Sequence, residues 1–288
     1  MIKDFIVVTK FVLSFAVSLS ALFAYIMAKG EVGADMFLAT FAVLLVAMGV
    51  STLNQVQEYK EDALMERTKH RPIASGKMSP LTGIIIAAVL VIASLFLIYD
   101  LLGLTGINLF LFSFVWYNLV YTPLKKKSAL AVVPGAILGV IPPAVGWLVA
   151  GHSLLEVEFY ALGLFYFIWQ IPHFWLLVML HYGGYKDAGY PTAMRLFGQN
   201  SLQRLTFVWL ILTLFTGIFM VSIFNPTSLI INILLVVTGI FGFISSLKLL
   251  NKNFELPDAR SVFWKINLAF LGTIILISID AMLDFNPL

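Results

Sequence analysis

The chain has 288 residues, of which 60% are hydrophobic and only 11% are charged. This composition excludes an ordinary soluble globular protein, in which charged residues make up about 25%. There is no cysteine, so disulfides and thiolate-bound metals are excluded. The formal net charge of +3 is small, and we expect no nucleic-acid partner.

Nine apolar segments dominate the chain, and several reach the roughly 20 residues that a helix needs to cross a bilayer. They cover residues 7–28, 35–53, 81–100, 104–121, 129–150, 157–180, 205–224, 228–249 and 264–283. Because a backbone in lipid must satisfy its own hydrogen bonds, they predict an all-α, polytopic membrane protein. The first segment is too long for the apolar part of a signal peptide, so we interpret it as a retained span. No linker interrupts the pattern, which favours a single membrane-embedded domain over residues 1–288.

The basic residues predict the orientation of the spans. With the N-terminus inside, 17 of the 18 Lys and Arg residues lie on the cytoplasmic face, and only Lys29 lies on the other. The acidic residues divide 8 to 7 between the faces. The asymmetry is therefore specific to basic residues, as the positive-inside rule expects. Nine spans then place the N-terminus inside and the C-terminus outside.

The most charged connector covers residues 54–80. Asn54, Glu58 and Asp62 are four residues apart, so on a continuing helix their side chains share one face. Four basic residues follow them: Arg67, Lys69, Arg71 and Lys77. An amide and two carboxylates suit Mg²⁺, and arginines bind phosphate oxygens as a fork. The alternative interpretation is a solvated loop with helical ion pairs.

The fourth and fifth segments carry a second group of signals. The fourth ends in Tyr117, Asn118 and Tyr121, and three consecutive lysines follow at 125–127. These lysines are either a topology anchor or a clamp for a diphosphate. Helix-breaking residues in the fifth segment are tolerated where the backbone lines a cavity, and they also permit close helix packing. They are Pro134, Gly135, Gly139, Pro142, Pro143 and Gly146.

The sixth segment contains an ionisable residue, which within a membrane span is a candidate functional residue. This residue is His173, and it lies in the sequence WQIPHFW at 169–175. The polar loop behind it has the sequence HYGGYKDAGYP at 181–191. The segments beyond residue 204 have no comparable polar pattern, and we interpret them as scaffold.

Together these motifs resemble a known family. The pattern N-x3-E-x3-D-x2-M-x-R-T-x2-R-P, which starts at Asn54, resembles the first motif of the UbiA superfamily of membrane prenyltransferases. YTPLKK at 121–126, PPxxGW at 142–147, PHF at 172–174 and YxxAGY at 185–190 resemble further signatures of its protoheme IX farnesyltransferase branch. The resemblance extends in order over about residues 50–195. Beyond them it is limited to hydropathy.

This resemblance implies nine transmembrane helices around a central cavity that opens to the cytoplasmic face and laterally to lipid. It implies transfer of a farnesyl group from farnesyl diphosphate to the 2-vinyl group of heme B, with addition of water, giving heme O for terminal oxidases. Mg²⁺ is the implied cofactor. The implied location is the bacterial inner membrane, with the active site on the cytoplasmic face. The implied partners are heme A synthase or oxidase assembly proteins.

The resemblance also implies roles for individual residues. The implied metal ligands are Asn54, Glu58, Asp62 and Asp187. The implied diphosphate-binding residues are Arg67, Arg71, Lys125, Lys126 and Lys186. The implied catalytic residues are Asn54, Glu58, Asp62, Arg67 and Lys125. The implied haem-binding residues are Tyr121, Trp147 and His173.

Three departures from the family's pattern bear on these roles. Glu58 stands where the superfamily usually has Asp, and it keeps a carboxylate. Lys126 replaces the more usual Arg, which keeps the charge and loses the fork. Gly183 and Gly184 stand where the branch usually has an acidic pair. Either Asp187 supplies the second metal contact, or one metal site is weakened, or the chain is a diverged paralogue.

Three other functions stay open on the sequence. One is a transporter for an anionic lipid or haem-like solute, although the polar clusters lie at one face rather than near the midplane. Another is a non-catalytic haem-binding or assembly protein, which the glycine pair at 183–184 favours. The third is a UbiA-type prenyltransferase with another aromatic or tetrapyrrole acceptor, such as a quinone or a chlorin. The motifs at 122–125 and 172–174 make haem the preferred acceptor.

Overall fold

The computed structural model describes residues 2–251 and 253–284. All regular elements in this part of the chain are helical, with no strand, which confirms the all-α prediction. The α-helices are α1 (Ile2–Val8), α2 (Phe11–Lys29), α3 (Ala34–Leu64), α4 (Pro80–Phe114), α5 (Thr122–Lys125), α6 (Val132–Gly135), α7 (Ile141–Val149), α8 (Val157–Leu180), α9 (Tyr182–Asp187), α10 (Ala193–Phe197), α11 (Gln199–Phe224), α12 (Leu229–Ser246) and α13 (Leu256–Asp284). A π-helix covers Val115–Tyr121, and 3₁₀ turns cover Ala136–Gly139 and Leu247–Leu250.

Eight helical stretches in the described residues are long and apolar enough to cross a membrane, so the chain is an integral membrane protein. One of them, Pro80–Lys125, has 46 residues. A straight helix of that length extends about 69 Å, more than twice the ~30 Å hydrocarbon layer. Its backbone leaves helical geometry at Gly103, with φ 57° and ψ −140°, in the predicted connector between two spans. The count of nine spans and their orientation stay predictions.

The first predicted span is interrupted near its beginning. Helix α1 ends at Val8 and α2 begins at Phe11, whereas the sequence predicted one segment over 7–28. Lys10, between the two helices, has φ 48° and ψ 43°. This left-handed conformation is costly for a residue with a Cβ atom. It turns the chain between α1 and α2 and places the Lys10 side chain against α3.

Helix α3 is longer than its predicted apolar segment. It has 31 residues, which is about 46 Å, so it extends beyond a hydrocarbon layer of ~30 Å. Asn54, Glu58 and Asp62 lie in its final turns, and all three are buried, with 1%, 5% and 2% of their surface exposed. The prediction that they stand on a helix is confirmed. Their burial contradicts the alternative interpretation of this region as a solvated loop.

The fifth predicted segment is divided where its prolines and glycines stand. Helix α7 begins with Pro142 and Pro143 near its N-terminus, where the missing proline N–H groups break no helical hydrogen bond. A Cβ atom at Gly146 would lie 1.9 Å from the backbone oxygen of Ala21. Helix α7 therefore packs this closely against α2 only because residue 146 is glycine.

The last helices close the bundle. Helix α13 packs against α2, α8 and α12, which brings the C-terminal part of the described chain to the first span. Large apolar side chains such as Phe96, Trp264 and Val208 remain more than half exposed, as expected of a surface that faces lipid. The region that the sequence assigned to scaffold thus contacts both α2 and α8.

Candidate active site

Glu58 is the centre of a buried polar cluster. Its Oε2 atom accepts hydrogen bonds from Lys125 Nζ at 2.7 Å and Asn54 Nδ2 at 2.9 Å. Its Oε1 atom accepts from the Tyr190 hydroxyl at 2.8 Å. Three donors, one of them cationic, offset the cost of burying this carboxylate. The cluster therefore joins α3, α5 and the loop after α8.

Asp62 lies one helical turn further along α3 and holds a second cation. Arg71 Nη1 donates to Asp62 Oδ2 at 2.7 Å. The chain turns back to make this contact because Thr68 Oγ1 donates to the Asp62 backbone oxygen at 2.9 Å. Among the described residues, Oδ1 of Asp62 has no hydrogen-bond partner. That oxygen is available to a further cation.

Lys10 is a third basic side chain of the cluster, and sequence reasoning missed it. Its Nζ atom donates to Asn54 Oδ1 at 3.0 Å. Lys10 lies just before the membrane-spanning helix α2, and burial, together with the positive charges of Arg71 and Lys125, lowers its pKa to about 7. In the sequence Lys10 was counted only as a basic residue that sets orientation. The left-handed backbone at Lys10 brings its side chain to the site. No sequence motif indicates this conformation.

The three consecutive lysines are not equivalent. Lys125 binds Glu58, whereas Lys126 donates to Glu61 Oε1 at 2.5 Å and to the Gln57 backbone oxygen at 3.3 Å. Lys127 is exposed. Two of the three are thus tied to α3, which a topology anchor alone does not require. The Lys125 ammonium also lies 5.5 Å from the ring centroid of Tyr121, which places Tyr121 beside the cluster.

The second polar loop reaches the cluster through Tyr190, not through Asp187. Asp187 and Lys186 are both exposed. In the described part of the chain, no three His, Asp or Glu side chains lie close enough together to hold one metal ion. Asp187 therefore does not lie beside both Glu58 and Asp62. A left-handed glycine, Gly189 with φ 75°, precedes Tyr190. Burial and the charge of Glu58 raise the pKa of Tyr190, so its hydroxyl stays a donor.

Arg67 lies outside the cluster as well. It is exposed, and its positive charge affects the pKa of His181, at the start of the loop after α8. Burial, then the charges of Arg67 and Arg260, lower the pKa of His181. Of the predicted basic residues of the first motif, Arg71 is paired with a buried carboxylate, whereas Arg67 has no such partner among the described residues.

The three predicted haem-binding residues lie in three different places. His173 pairs with Asn267 of α13, where Nδ1 and Oδ1 are 2.8 Å apart. Trp147 is buried and donates from Nε1 to Glu156 Oε2 at 3.2 Å. That contact and its packing against Phe159 assign Trp147 to the core beside the short connector 151–156. The haem-binding role of Trp147 stays a prediction.

The donor set of the cluster suits a metal-bound diphosphate. Mg²⁺ is typically bound by one or two carboxylates together with substrate phosphates, and Asn54, Glu58 and Asp62 offer two carboxylates and an amide on one helix face. Ammonium and guanidinium groups bind phosphate oxygens. Lys10, Arg71 and Lys125 supply three of them within hydrogen-bond distance of those ligands. The residues present therefore fit the group.

The described part of the chain is thus a helical membrane bundle with a buried cluster of carboxylates and basic side chains at the end of one long span. The chain belongs to the UbiA prenyltransferase family, whose sequence profile matches residues 3–271.

Two curated relatives carry the same name. The protoheme IX farnesyltransferase of Oleidesulfovibrio alaskensis is 37% identical over 175 residues, which is 61% of this chain and 62% of that protein. The protoheme IX farnesyltransferase of Nitratidesulfovibrio vulgaris is 35% identical over 211 residues, 72% of each chain. The match thus spans less than two thirds of the first relative's length.

Solved structures share the fold. A structure from work on digeranylgeranylglyceryl phosphate synthase superposes with a TM-score of 0.77 and covers 98% of both chains at 17% identity. A UbiA homolog from Archaeoglobus fulgidus, bound to GPP and Mg²⁺, gives a TM-score of 0.69 at 14% identity, with 96% of this chain and 99% of that one covered. At these identities the likeness shows the fold alone.

Proposed function

We propose that the chain transfers a farnesyl group from farnesyl diphosphate to the 2-vinyl group of protoheme IX, with addition of water, giving heme O. One observation carries the proposal: Lys10, Arg71 and Lys125 converge on Asn54, Glu58 and Asp62 in a buried cluster. The names of the curated relatives support the substrates. The diphosphate and Mg²⁺ bound to the Archaeoglobus homolog support the cofactor.

The cluster performs the diphosphate half of the reaction. Asn54, Glu58 and Asp62 would hold Mg²⁺, which supplies Lewis-acid neutralisation of the diphosphate oxygens when bound. Lys10, Arg71 and Lys125 stabilise the negative charge that grows on the diphosphate as its bond to the farnesyl carbon breaks. Fixed charges in a buried site are effective here because they need no reorganisation at that moment.

The remaining basic residues have a weaker role in this scheme. Arg67 and Lys186 are exposed, and Lys126 is paired with Glu61. We assign these three to the attraction of the diphosphate toward the cluster rather than to its final binding position. Charges that line an approach raise the rate of association, and salt screens that effect.

The acceptor half takes place in an apolar environment. The helices around the cluster exclude water from the farnesyl cation, and aromatic faces such as that of Tyr121, beside Lys125, favour a cation. The electron-rich vinyl group of the haem then attacks this cation, and water adds to the resulting haem-side cation with loss of a proton. We propose the inner membrane of a bacterium as the location, because the curated relatives are bacterial, with the cluster at the cytoplasmic face that the basic residues predict.

Purified protein in detergent, supplied with protoheme IX, farnesyl diphosphate and Mg²⁺, tests the proposal. We expect a product with the chromatographic behaviour and mass of heme O, together with released diphosphate, and loss of both on chelation. Haem binding without product or diphosphate release would overturn the proposal in favour of a non-catalytic haem-binding protein. Diphosphate release that requires a quinone instead of haem would indicate a different acceptor.

A further inference from the structure

His173 and Asn267 form a hydrogen bond between α8 and α13 that fixes how the histidine ring is protonated. His173 Nδ1 lies 2.8 Å from Asn267 Oδ1. The amide nitrogen of Asn267 donates to the backbone oxygen of Phe263 at 2.5 Å, so the oxygen of the amide is the atom that faces the ring. An amide oxygen only accepts. The proton of the neutral imidazole is therefore on Nδ1, and the lone pair is on Nε2.

Nothing in the described part of the chain uses that lone pair. Nε2 of His173 has no hydrogen-bond partner there, and the ring is only partly buried. Aromatic side chains surround the ring instead: its centroid lies 4.7 Å from that of Trp169 and 4.9 Å from that of Phe263. The indole N–H of Trp169 is also buried without an acceptor among the described residues. Two polar atoms are thus left for a ligand beside flat apolar surfaces.

A histidine with Nδ1–H held by an oxygen and a free Nε2 is the usual form of a metal-ligating imidazole. The oxygen fixes the tautomer and the ring orientation and raises the basicity of the ligating nitrogen. A purely structural hydrogen bond between two membrane helices would produce the same distance. It would not explain why a second polar atom, the indole N–H of Trp169, is buried beside the same ring without an acceptor among the described residues.

We propose that Asn267 is a positioning residue that holds His173 with Nε2 free to bind the iron of the haem substrate. The inference rests on the proposed function for its choice of haem as the ligand. It gives α13, which the sequence assigned to scaffold, a part in substrate binding. The aromatic rings of Trp169 and Phe263 then border the porphyrin, whose flat apolar surface they suit.

Binding of ferric protoheme to the full-length protein in detergent tests this inference without any transfer reaction. We expect the absorption and electron paramagnetic resonance spectra of an imidazole-ligated iron in the wild type. His173→Gly should lose these spectra, and added imidazole should restore them. Asn267→Leu, which has a similar volume and no acceptor, should weaken haem affinity about tenfold or more, as loss of such a partner typically does.

A second variant keeps the test valid if leucine disturbs folding. Asn267→Asp keeps an acceptor and adds negative charge, so it should retain the ligated spectrum and lower the reduction potential of the bound haem. Thr273→Val, on the same helix, removes a hydroxyl that donates to the backbone oxygen of Ala269 in that helix and should leave the spectra unchanged. A structural role would change thermal stability in the Asn267 variants without moving spectrum or potential.

The outcomes separate the inference from the proposed function. Wild-type spectra and affinity in Asn267→Leu, or ligated iron in His173→Gly without imidazole, would overturn the inference even if heme O is formed. Ligation that depends on His173 and Asn267 in a protein that forms no heme O would overturn the proposed function and support the inference.

Discussion

The polar segments at the ends of α3 and of α8 make a direct comparison. Both follow long apolar spans, and both carry carboxylates and basic residues. At the end of α3 the charges are buried and paired, as in Glu58 with Lys125 and Asp62 with Arg71. In the loop after α8, Lys186 and Asp187 are exposed, and the contribution to the cluster is the hydroxyl of Tyr190.

The difference lies in the length of the preceding helix. Helix α3 continues through its polar residues to Leu64, so its carboxylates stay inside the bundle, where burial is tolerated only with partners. Helix α8 ends at Leu180, before the polar residues begin, and its charges turn into solvent. Charge in a sequence motif therefore indicates a site only where the backbone keeps that charge buried.

The largest effect is expected from Asp62→Asn. The change keeps the shape and a hydrogen-bond acceptor for Arg71 but removes the negative charge, so the proposed Mg²⁺ site loses a carboxylate. We expect farnesyl transfer to fall by about 100-fold or more, and the Mg²⁺ concentration required to rise. Transfer rates measured across a Mg²⁺ titration check this, with thermal unfolding as the measure of folding.

Glu66→Gln is the matched control for that variant. Glu66 lies in the same polar segment but is exposed, and its ion pair in the described part of the chain is with Lys69. The activity of Glu66→Gln should therefore remain near that of the wild type. Wild-type activity in Asp62→Asn would contradict the metal-site assignment. An equal loss in both variants would mean that burial does not distinguish the two carboxylates.

Lys10→Met should have the next largest effect. It removes a hydrogen bond to Asn54 and one of the three cations of the cluster, and a hydrogen bond to a charged group contributes about 1.5–3 kcal/mol. We expect kcat/KM for farnesyl diphosphate to fall about 10–100-fold. Lys3→Met in the exposed part of α1 should change it little. Equal kcat/KM values for the two variants would show that Lys10 does not contribute to the diphosphate site.

Lys10 also shows where prediction from the sequence stops. The apolar spans and the helical face of Asn54, Glu58 and Asp62 follow from local periodicity. The pairing of Lys125 and Arg71 with that face is a set of tertiary contacts that the sequence does not contain. Lys10 reaches the same cluster because the chain breaks between α1 and α2 in a left-handed conformation. No glycine or proline marks that break, so the hydropathy pattern predicts one continuous span.

The second predicted group of site residues shows a different limit of the sequence. Tyr121, Trp147 and His173 were grouped because their motifs follow one another in a family pattern. Contacts between distant helices decide where such residues lie, and sequence order does not contain them. Trp147 is fixed by Glu156 and His173 by Asn267, and neither partner belongs to a polar pattern that the sequence makes visible.

Tyr190→Phe should have a moderate effect, because it removes one of the three donors of Glu58 and leaves the other two. Loss of a single hydrogen bond to a carboxylate that remains paired is expected to cost about 1–2 kcal/mol, which is about fivefold to thirtyfold in kcat/KM. Tyr160→Phe, at an exposed tyrosine on α8, is the control. If Tyr190→Phe lowers kcat/KM as much as Asp62→Asn does, the loop after α8 contributes more to the cluster than the contact of Tyr190 indicates.

Asp187→Asn should have the smallest effect. An exposed side chain away from other acidic groups contributes within about ±0.5 kcal/mol, so transfer and the Mg²⁺ requirement should stay within about twofold of wild type. A carboxylate can also be added to this loop, because a Cβ atom at Gly183 would meet nothing within 4 Å. Gly183→Asp therefore adds a carboxylate to this loop without a clash. A loss in Asp187→Asn as large as that in Asp62→Asn would mean that the loop carries its carboxylate to Glu58 and Asp62 when substrate binds, and the contrast between the two polar segments would then hold only for the protein without substrate.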